Sequence, residues 1–217
     1  MKEIKALIYK DIMLELKQRY AINGILLYVV STIFVCYLAF SNGIEPDTWN
    51  ALFWIIMLFA AVNAVSKSFV QEHTGRQLYY YTVAQPQSII ISKMIYNSLL
   101  MIVLSLISLI IFIALMGNII ENLNLFALFL LLSSIGFSAV LTMISAIASR
   151  TNNNFALMAI LSFPLMLPLL LITMKGSASA ITGETFSENI TVIAGLFVLD
   201  LIIAALSFVL FPYLWKD

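Results

Sequence analysis

Very few side chains in this sequence could support acid–base, nucleophilic or metal chemistry. Asp200 lies near the middle of a long apolar run, where a carboxylate costs about 2.5–3.5 kcal/mol on insertion scales. We therefore expect it to face protein or water, either protonated and hydrogen-bonded or lining a polar cavity. His73 is the only histidine, and no His, Asp and Glu residues have metal-ligand spacing. An enzyme acting inside the membrane is the least favoured interpretation.

Nucleotide chemistry would have to come from another subunit. The sequence has no Gly-x-x-x-x-Gly-Lys-[Ser/Thr] motif with which to hold the phosphates of ATP. No segment is basic and aromatic enough to predict nucleic-acid binding. The informative polar residues lie instead in one connection, from Lys67 to Lys93.

This connection reads KSFVQEHTGRQLYYYTVAQPQSIIISK. Thr74 and Gly75 can end one helix and begin another, because glycine tolerates the turn and threonine can cap the new N-terminus. The pattern predicts a short helix from about Arg76 to Ala84, ended by Pro86, with Ser88 capping the next helix. Such a helix has the geometry with which a permease transmits force from an ATPase. A plain interfacial loop, its tyrosines part of the aromatic belt, is the alternative.

The elements that position these residues are membrane spans. Hydrophobic residues make up 62% of the 217, charged residues 10%, and the mean hydropathy is +1.03, which is typical of a chain whose solvent is the bilayer. A spanning helix needs about 20 mostly apolar residues. Six runs qualify: 21–40, 49–70, 94–116, 125–148, 155–174 and 190–212. The sequence therefore predicts one all-α domain, 1–217, with six transmembrane helices.

The basic residues give the orientation. Ten of the 11 Lys and Arg residues lie on one side of the predicted spans, and Lys175 alone lies on the other. The positive-inside rule then places both termini in the cytoplasm.

The first 20 residues are too polar to span. An apolar residue recurs at every fourth position: Ile4, Ile8, Ile12 and Leu16. This spacing predicts a helix lying on the cytoplasmic surface of the membrane. Asp11, Glu15 and Arg19 interrupt the stripe, and a charged lead-in to the first span is the alternative.

Two spans have unusual composition. Pro164 and Pro168 lie one turn apart in the fifth span, where each removes a backbone donor, so we expect a kink that is either static or part of a moving element. The fourth span carries a hydroxyl stripe: Ser134, Ser138, Thr142, Ser145 and Ser149. Close helix packing is the favoured interpretation of this stripe, and a substrate path is the alternative.

The connection also resembles a known pattern. Its residues are similar to the Glu…Gly-Thr…Leu…Pro…Lys pattern of ABC-2-type permeases, with Gly and Thr in reversed order: Glu72, Thr74, Gly75, Leu78, Pro86 and Lys93. More narrowly, the whole chain resembles the CcmB family of cytochrome c maturation permeases. The segments that carry this likeness are the opening 9–17, the second span 50–69 and the Pro-Leu-Met-Leu-Pro stretch within 162–171. Residues 151–154 and Asp200 depart from that family's pattern.

The resemblance implies a non-enzymatic permease subunit. In such permeases the connection is a coupling helix seated in a cleft of the ATPase subunit, so the coupling residues here would be Glu72, Thr74, Gly75, Arg76, Leu78, Pro86 and Lys93. It implies ATP on that partner, no cofactor bound directly, and haem as cargo. It further implies two copies of the chain, other cytochrome c maturation proteins nearby, and ATP-driven release of a haem-loaded chaperone. An ABC-2 exporter of another amphipathic substrate, or a membrane scaffold without an ATPase, remains the alternative.

Overall fold

The computed structural model describes residues 2–17, 19–40, 43–65, 85–149 and 154–216, and these ranges contain helices and no strand. Seven α-helices follow one another along the chain: α1 (Lys2–Lys17), α2 (Arg19–Ala39), α3 (Pro46–Val65), α4 (Pro86–Met116), α5 (Leu123–Ala148), α6 (Asn154–Ile181) and α7 (Ile190–Lys216). The predicted all-α polytopic membrane fold is confirmed.

Five of these helices, α3 to α7, are long and apolar enough to cross a bilayer. In α2 the described apolar stretch, Asn23–Ala39, has 17 residues, slightly fewer than the roughly 20 that a perpendicular span needs. The count of six spans and the cytoplasmic position of both termini therefore stay predictions.

At two boundaries the helix extends well beyond the predicted span. Helix α4 begins at Pro86, eight residues before the predicted span, with Gln85 at the N-cap and no side-chain capping bond. Proline suits the first helical position because its missing N–H would have no intrahelical partner there. Pro86 thus opens α4, and Ser88 lies inside that helix and is not its N-cap. At the other boundary, α6 continues to Ile181 and includes Lys175, which the sequence placed in a connection.

Helix α5 is the centre of the bundle. It packs extensively against α6, α4 and α7 and is the most enclosed of the five long apolar helices. Its small residues allow this close approach, since glycine, serine and alanine let helix backbones come near each other. By contrast, much of α7 exposes large apolar side chains, among them Phe197, Leu201 and Leu206. In a membrane protein this surface is solvated by lipid.

The end of the bundle formed by residues 43–50, 117–122 and 182–189, here termed the cap end, is closed by aromatic packing and hydrogen bonds. Trp49 is fully buried, with its ring stacked on Phe53 and meeting Phe112 edge to face. Asn122 donates to the Glu184 carbonyl at 2.8 Å and accepts from the Leu125 amide as the N-cap of α5. The opposite end carries α1 and is termed the α1 end.

Candidate functional site

A buried ion pair joins α1 to the start of α4. The Lys93 ammonium lies 3.3 Å from Oδ1 of Asp11, and both side chains are buried. Lys10 reaches the same oxygen at 3.0 Å from a more exposed position. A buried charge is tolerated only when it is paired, so Lys93 and Asp11 hold the two helices in one register.

This pair places Lys93 differently from the sequence expectation. Lys93 was predicted at the end of the connecting loop, but it lies inside α4, seven residues beyond Pro86. The other predicted coupling residues, Glu72, Thr74, Gly75, Arg76 and Leu78, lie outside the described residues, as does the short helix predicted there. The structure therefore describes the helix that leaves the predicted coupling segment.

Helix α1 forms as predicted, but the face that turns toward the bundle coincides only partly with the predicted apolar stripe. The inward side chains are partly or fully buried: Ile4, Leu7, Ile8, Asp11, Leu14 and Glu15. Ile12, a member of the predicted stripe, is 38% exposed. Asp11 seemed to interrupt an apolar stripe, and its partner on α4 shows why a carboxylate occupies the inward face. A single-sequence pattern could not reveal a partner 82 residues away.

An apolar cleft of about 220 Å³ lies beside the ion pair, between α1, α2 and α4. Its wall is hydrocarbon except for Glu15 and Tyr96. The Tyr96 hydroxyl is buried close to the carboxylates of Glu15 and Asp11. The α1 end therefore combines one strong ionic contact with loosely filled apolar space.

A second ionisable group, Asp200, is buried in the bundle as predicted. It lies on the inward face of α7, is 6% exposed, and contacts Gly136 of α5. Both of its carboxyl oxygens are buried without a hydrogen-bond partner among the described residues. A hydrogen-bond partner of the predicted kind is therefore not found among the described residues.

The hydroxyl stripe of α5 packs against α4, which confirms the packing interpretation. Side-chain hydrogen bonds link the two helices at three successive levels: Ser98 to Ser138 at 3.0 Å, Asn97 to Thr142 at 2.8 Å, and Ser134 to Ser105 at 3.1 Å. These pairs fix the antiparallel register of α4 and α5, since hydroxyl and amide side chains hydrogen-bond across neighbouring helices in membrane proteins.

Sequence analysis missed a second polar seam, toward the cap end. Ser177 of α6 donates to Asn50 of α3 at 2.7 Å and accepts from the Trp54 indole at 2.7 Å. One turn deeper, Ser133 and Thr173 share a hydrogen bond of 2.7 Å. The available signal was Asn50, an amide inside a predicted span, which needs buried partners.

Pro164 and Pro168 lie inside α6, which runs through both positions without a break. Both residues are exposed on the outer surface of the bundle. Because these two prolines face lipid, they lie away from the side-chain hydrogen bonds that join the helices. A kink at these positions stays a prediction.

Comparison with known families decides the identity. Residues 2–210 match the family model described as CcmB protein. The chain belongs to the CcmB family. It is thus a membrane subunit of the ABC transporter for haem export and cytochrome c maturation, in a family of transmembrane permease subunits. A search of curated proteins returned no match.

Proposed function

We propose that this CcmB-family chain couples ATP hydrolysis on a separate subunit to haem handling through the connection between α3 and α4. The observation that carries the proposal is the buried ion pair of Lys93 with Asp11. Because Lys93 lies two turns into the helix that leaves the connection, a displacement of residues 66–84 would be passed to α4 and, through Asp11, to α1.

The contacts that α4 makes with α5, and the cleft that borders α1, support this route. On its other side α4 is fixed to α5 by three hydroxyl or amide pairs, whereas α1 borders the apolar cleft. Movement of α4 would therefore carry α5 with it and change the cleft. In the proposal, ATP hydrolysis on the partner drives this change and releases a haem-loaded chaperone on the opposite side of the membrane.

The assembly implied by this function contains two copies of the chain, two ATPase subunits and further cytochrome c maturation proteins in the inner membrane. Both termini would be cytoplasmic, so that α1 and the connection face the ATPase together. Haem is the cargo of the complex, and no cofactor is assigned to this chain.

The first test is covalent haem staining of c-type cytochromes in cells depleted of this protein, with a plasmid-rescued control. We expect loss of the staining and its recovery with the plasmid. Normal staining on depletion would reject a role in cytochrome c maturation and favour an exporter of another amphipathic substrate.

The coupling step is tested with Glu72→Ala and Gly75→Leu on the rescue plasmid. We expect both variants to insert at normal abundance and to reduce haem staining, because the ATPase no longer moves α4. Gly195→Ala is the matched control, since a methyl group at this α7 position meets nothing within 4 Å. Full staining with both loop variants would remove the connection from the coupling route.

A further inference from the structure

Among the described residues, no hydrogen-bond donor is placed to stabilise a negative charge on Asp200. The carboxyl group rests directly on the Gly136 backbone and beside Leu169 of α6, and both oxygens lack a partner among the described residues. The hydroxyls one turn away, Ser133 and Thr173, are bonded to each other at 2.7 Å, and Ser133 donates to the Phe129 carbonyl.

The charged and titratable residues of the neighbouring helices are also distant or engaged. Helix α5 has none in its sequence. Helix α6 has Lys175, which is exposed and six residues beyond Leu169 toward the cap end, or about 9 Å along the axis. Helix α4 has Tyr96, at the apolar cleft, and Lys93, bound to Asp11.

The register of α4 against α5 gives the distance of Lys93 from the carboxyl group. Since Ser105 pairs with Ser134 and Asn97 with Thr142, Gly136 lies opposite about residue 103. Lys93 is ten residues from that level, or about 15 Å along the axis. The remaining titratable residues of α7, Tyr213 and Lys216, are more than three turns from Asp200 in the sequence. No cation of the chain's described residues therefore faces the carboxyl group.

We propose that Asp200 is a proton-binding site inside the membrane, and that the close packing of α7 on Gly136 requires the neutral acid. An unpaired carboxylate cannot be buried at this depth without a large desolvation cost. Release of the proton to water therefore requires α7 to leave its position on α5, so that water can solvate the carboxylate. Proton binding and α7–α5 packing are thus two linked equilibria, and each must shift the other.

Glycine at position 136 is what makes the close packing possible. A Cβ atom built there would collide with Oδ1 of Asp200 and with Cδ1 of Leu169. Gly136→Ala therefore moves the carboxyl group off its position without changing any charge. This substitution disturbs the packing of α7 on α5 and leaves every titratable group in place. Gly195→Ala is again the control, because it adds a methyl group to a helix glycine that has open space.

The protonation state is tested by infrared spectroscopy of the full chain in phosphatidylethanolamine–phosphatidylglycerol vesicles, with ¹³C-labelled aspartate carboxyl groups. At neutral pH we expect a protonated-acid carbonyl band that shifts with the label. The band should disappear in Asp200→Asn and persist in Asp47→Asn, whose aspartate is exposed at the start of α3. A labelled sample with no acid band at neutral pH, or a band that survives Asp200→Asn, overturns the proposal.

Should Asp200→Asn fail to insert, the Asp47→Asn/Asp217→Asn double variant gives the same answer. It leaves Asp200 and the ion-paired Asp11, and only a neutral Asp200 would then give the acid band. Loss of the band in that variant also overturns the proposal.

The linkage is tested by titrating the same band in Gly136→Ala. We expect proton binding at least tenfold weaker than in the native chain, and unchanged binding in Gly195→Ala. Equal titrations for the native chain and Gly136→Ala would show that packing and proton binding are independent. These spectroscopic measurements need no ATPase and no haem, so they stand apart from the proposed function.

Discussion

The cap end and the α1 end of the bundle bury polar groups in opposite ways. At the cap end, several hydrogen bonds and a cluster of aromatic rings join three segments of chain. At the α1 end, one ion pair of two buried side chains attaches α1 to α4 beside an apolar cleft. The first arrangement spreads over several hydrogen bonds and rings, whereas the second has one ion pair in addition to apolar contacts such as those of Leu7.

The difference has an energetic meaning. A side-chain hydrogen bond in a membrane protein contributes about 0.6 kcal/mol on average, so losing one of several bonds at the cap end changes little. Removing one partner of a buried ion pair costs about 3–5 kcal/mol, because the other charge stays buried and unpaired. We therefore expect the cap end to act as a fixed support and the α1 end to respond to events in the adjacent connection.

The aromatic cluster is the part of the cap end whose loss should have the largest effect. Trp49→Ala removes a fully buried ring that contacts Phe53 and Phe112 and donates to the Gly117 carbonyl at 3.3 Å. We expect a loss of about 3–5 kcal/mol in the free energy of unfolding, measured by denaturation in bicelles. Phe59→Ala is the control, because Phe59 lies on the same helix and is 48% exposed. Equal losses for the two variants would contradict a cap held by this cluster.

At the α1 end, Lys93→Met should cost about 3 kcal/mol, since Asp11 would stay buried with Lys10 as a more exposed partner. Lys10→Met should cost about 1 kcal/mol or less. The measurement is the rate at which protease releases α1 from the protein in vesicles, together with the unfolding free energy. Adding Asp11→Asn to Lys93→Met should recover part of the loss by removing the unpaired charge. Equal effects of the two lysine variants would mean that the buried pair does not hold α1.

The smallest effect is expected in the connection 182–189 of the cap end. The Thr185 amide and hydroxyl donate to Glu188 at 2.7 and 2.8 Å, and these bonds hold the pKa of Glu188 below its usual value of 4.5. A lowered pKa means that the contribution is present above pH 4.5 and is lost as pH falls through the lowered value. Hydrogen exchange at the Thr185 amide should therefore gain protection as pH rises across this range, relative to the exchange of a free amide. In Glu188→Gln the relative protection should not depend on pH, and the same pH dependence in that variant would assign the effect to another group.

Predicting the helices from sequence succeeded where a run of apolar residues was long enough. The predicted span 125–148 differs from α5 by two residues at one end. At two boundaries the helix in the structure continues beyond the apolar run that defined the predicted span. Pro86 and Ile181 lie beyond the predicted limits because a helix continues as long as its backbone is paired, whether or not its side chains face lipid.

The candidate site was predicted less completely. Asp200 was identified because a carboxylate inside an apolar run raises the free energy of membrane insertion, whichever way its helix is turned. Its position on Gly136, and the role of Asn50 and Ser177, depend on which helix faces are opposed. The coupling residues of the connection lie outside the described part of the chain and stay predictions.

The sequence by itself determined the membrane class, the helices and the family. Each span satisfies its own backbone hydrogen bonds in lipid, so its existence depends only on local composition. Tertiary structure alone decided which face of α1 turns inward and that Lys93 meets Asp11. It also placed Asp200 beside a glycine, with no cation next to it among the described residues. Those outcomes depend on side chains far apart in sequence that are brought together by helix packing, and polar groups in a bilayer are sensitive to that packing because lipid supplies no hydrogen bonds.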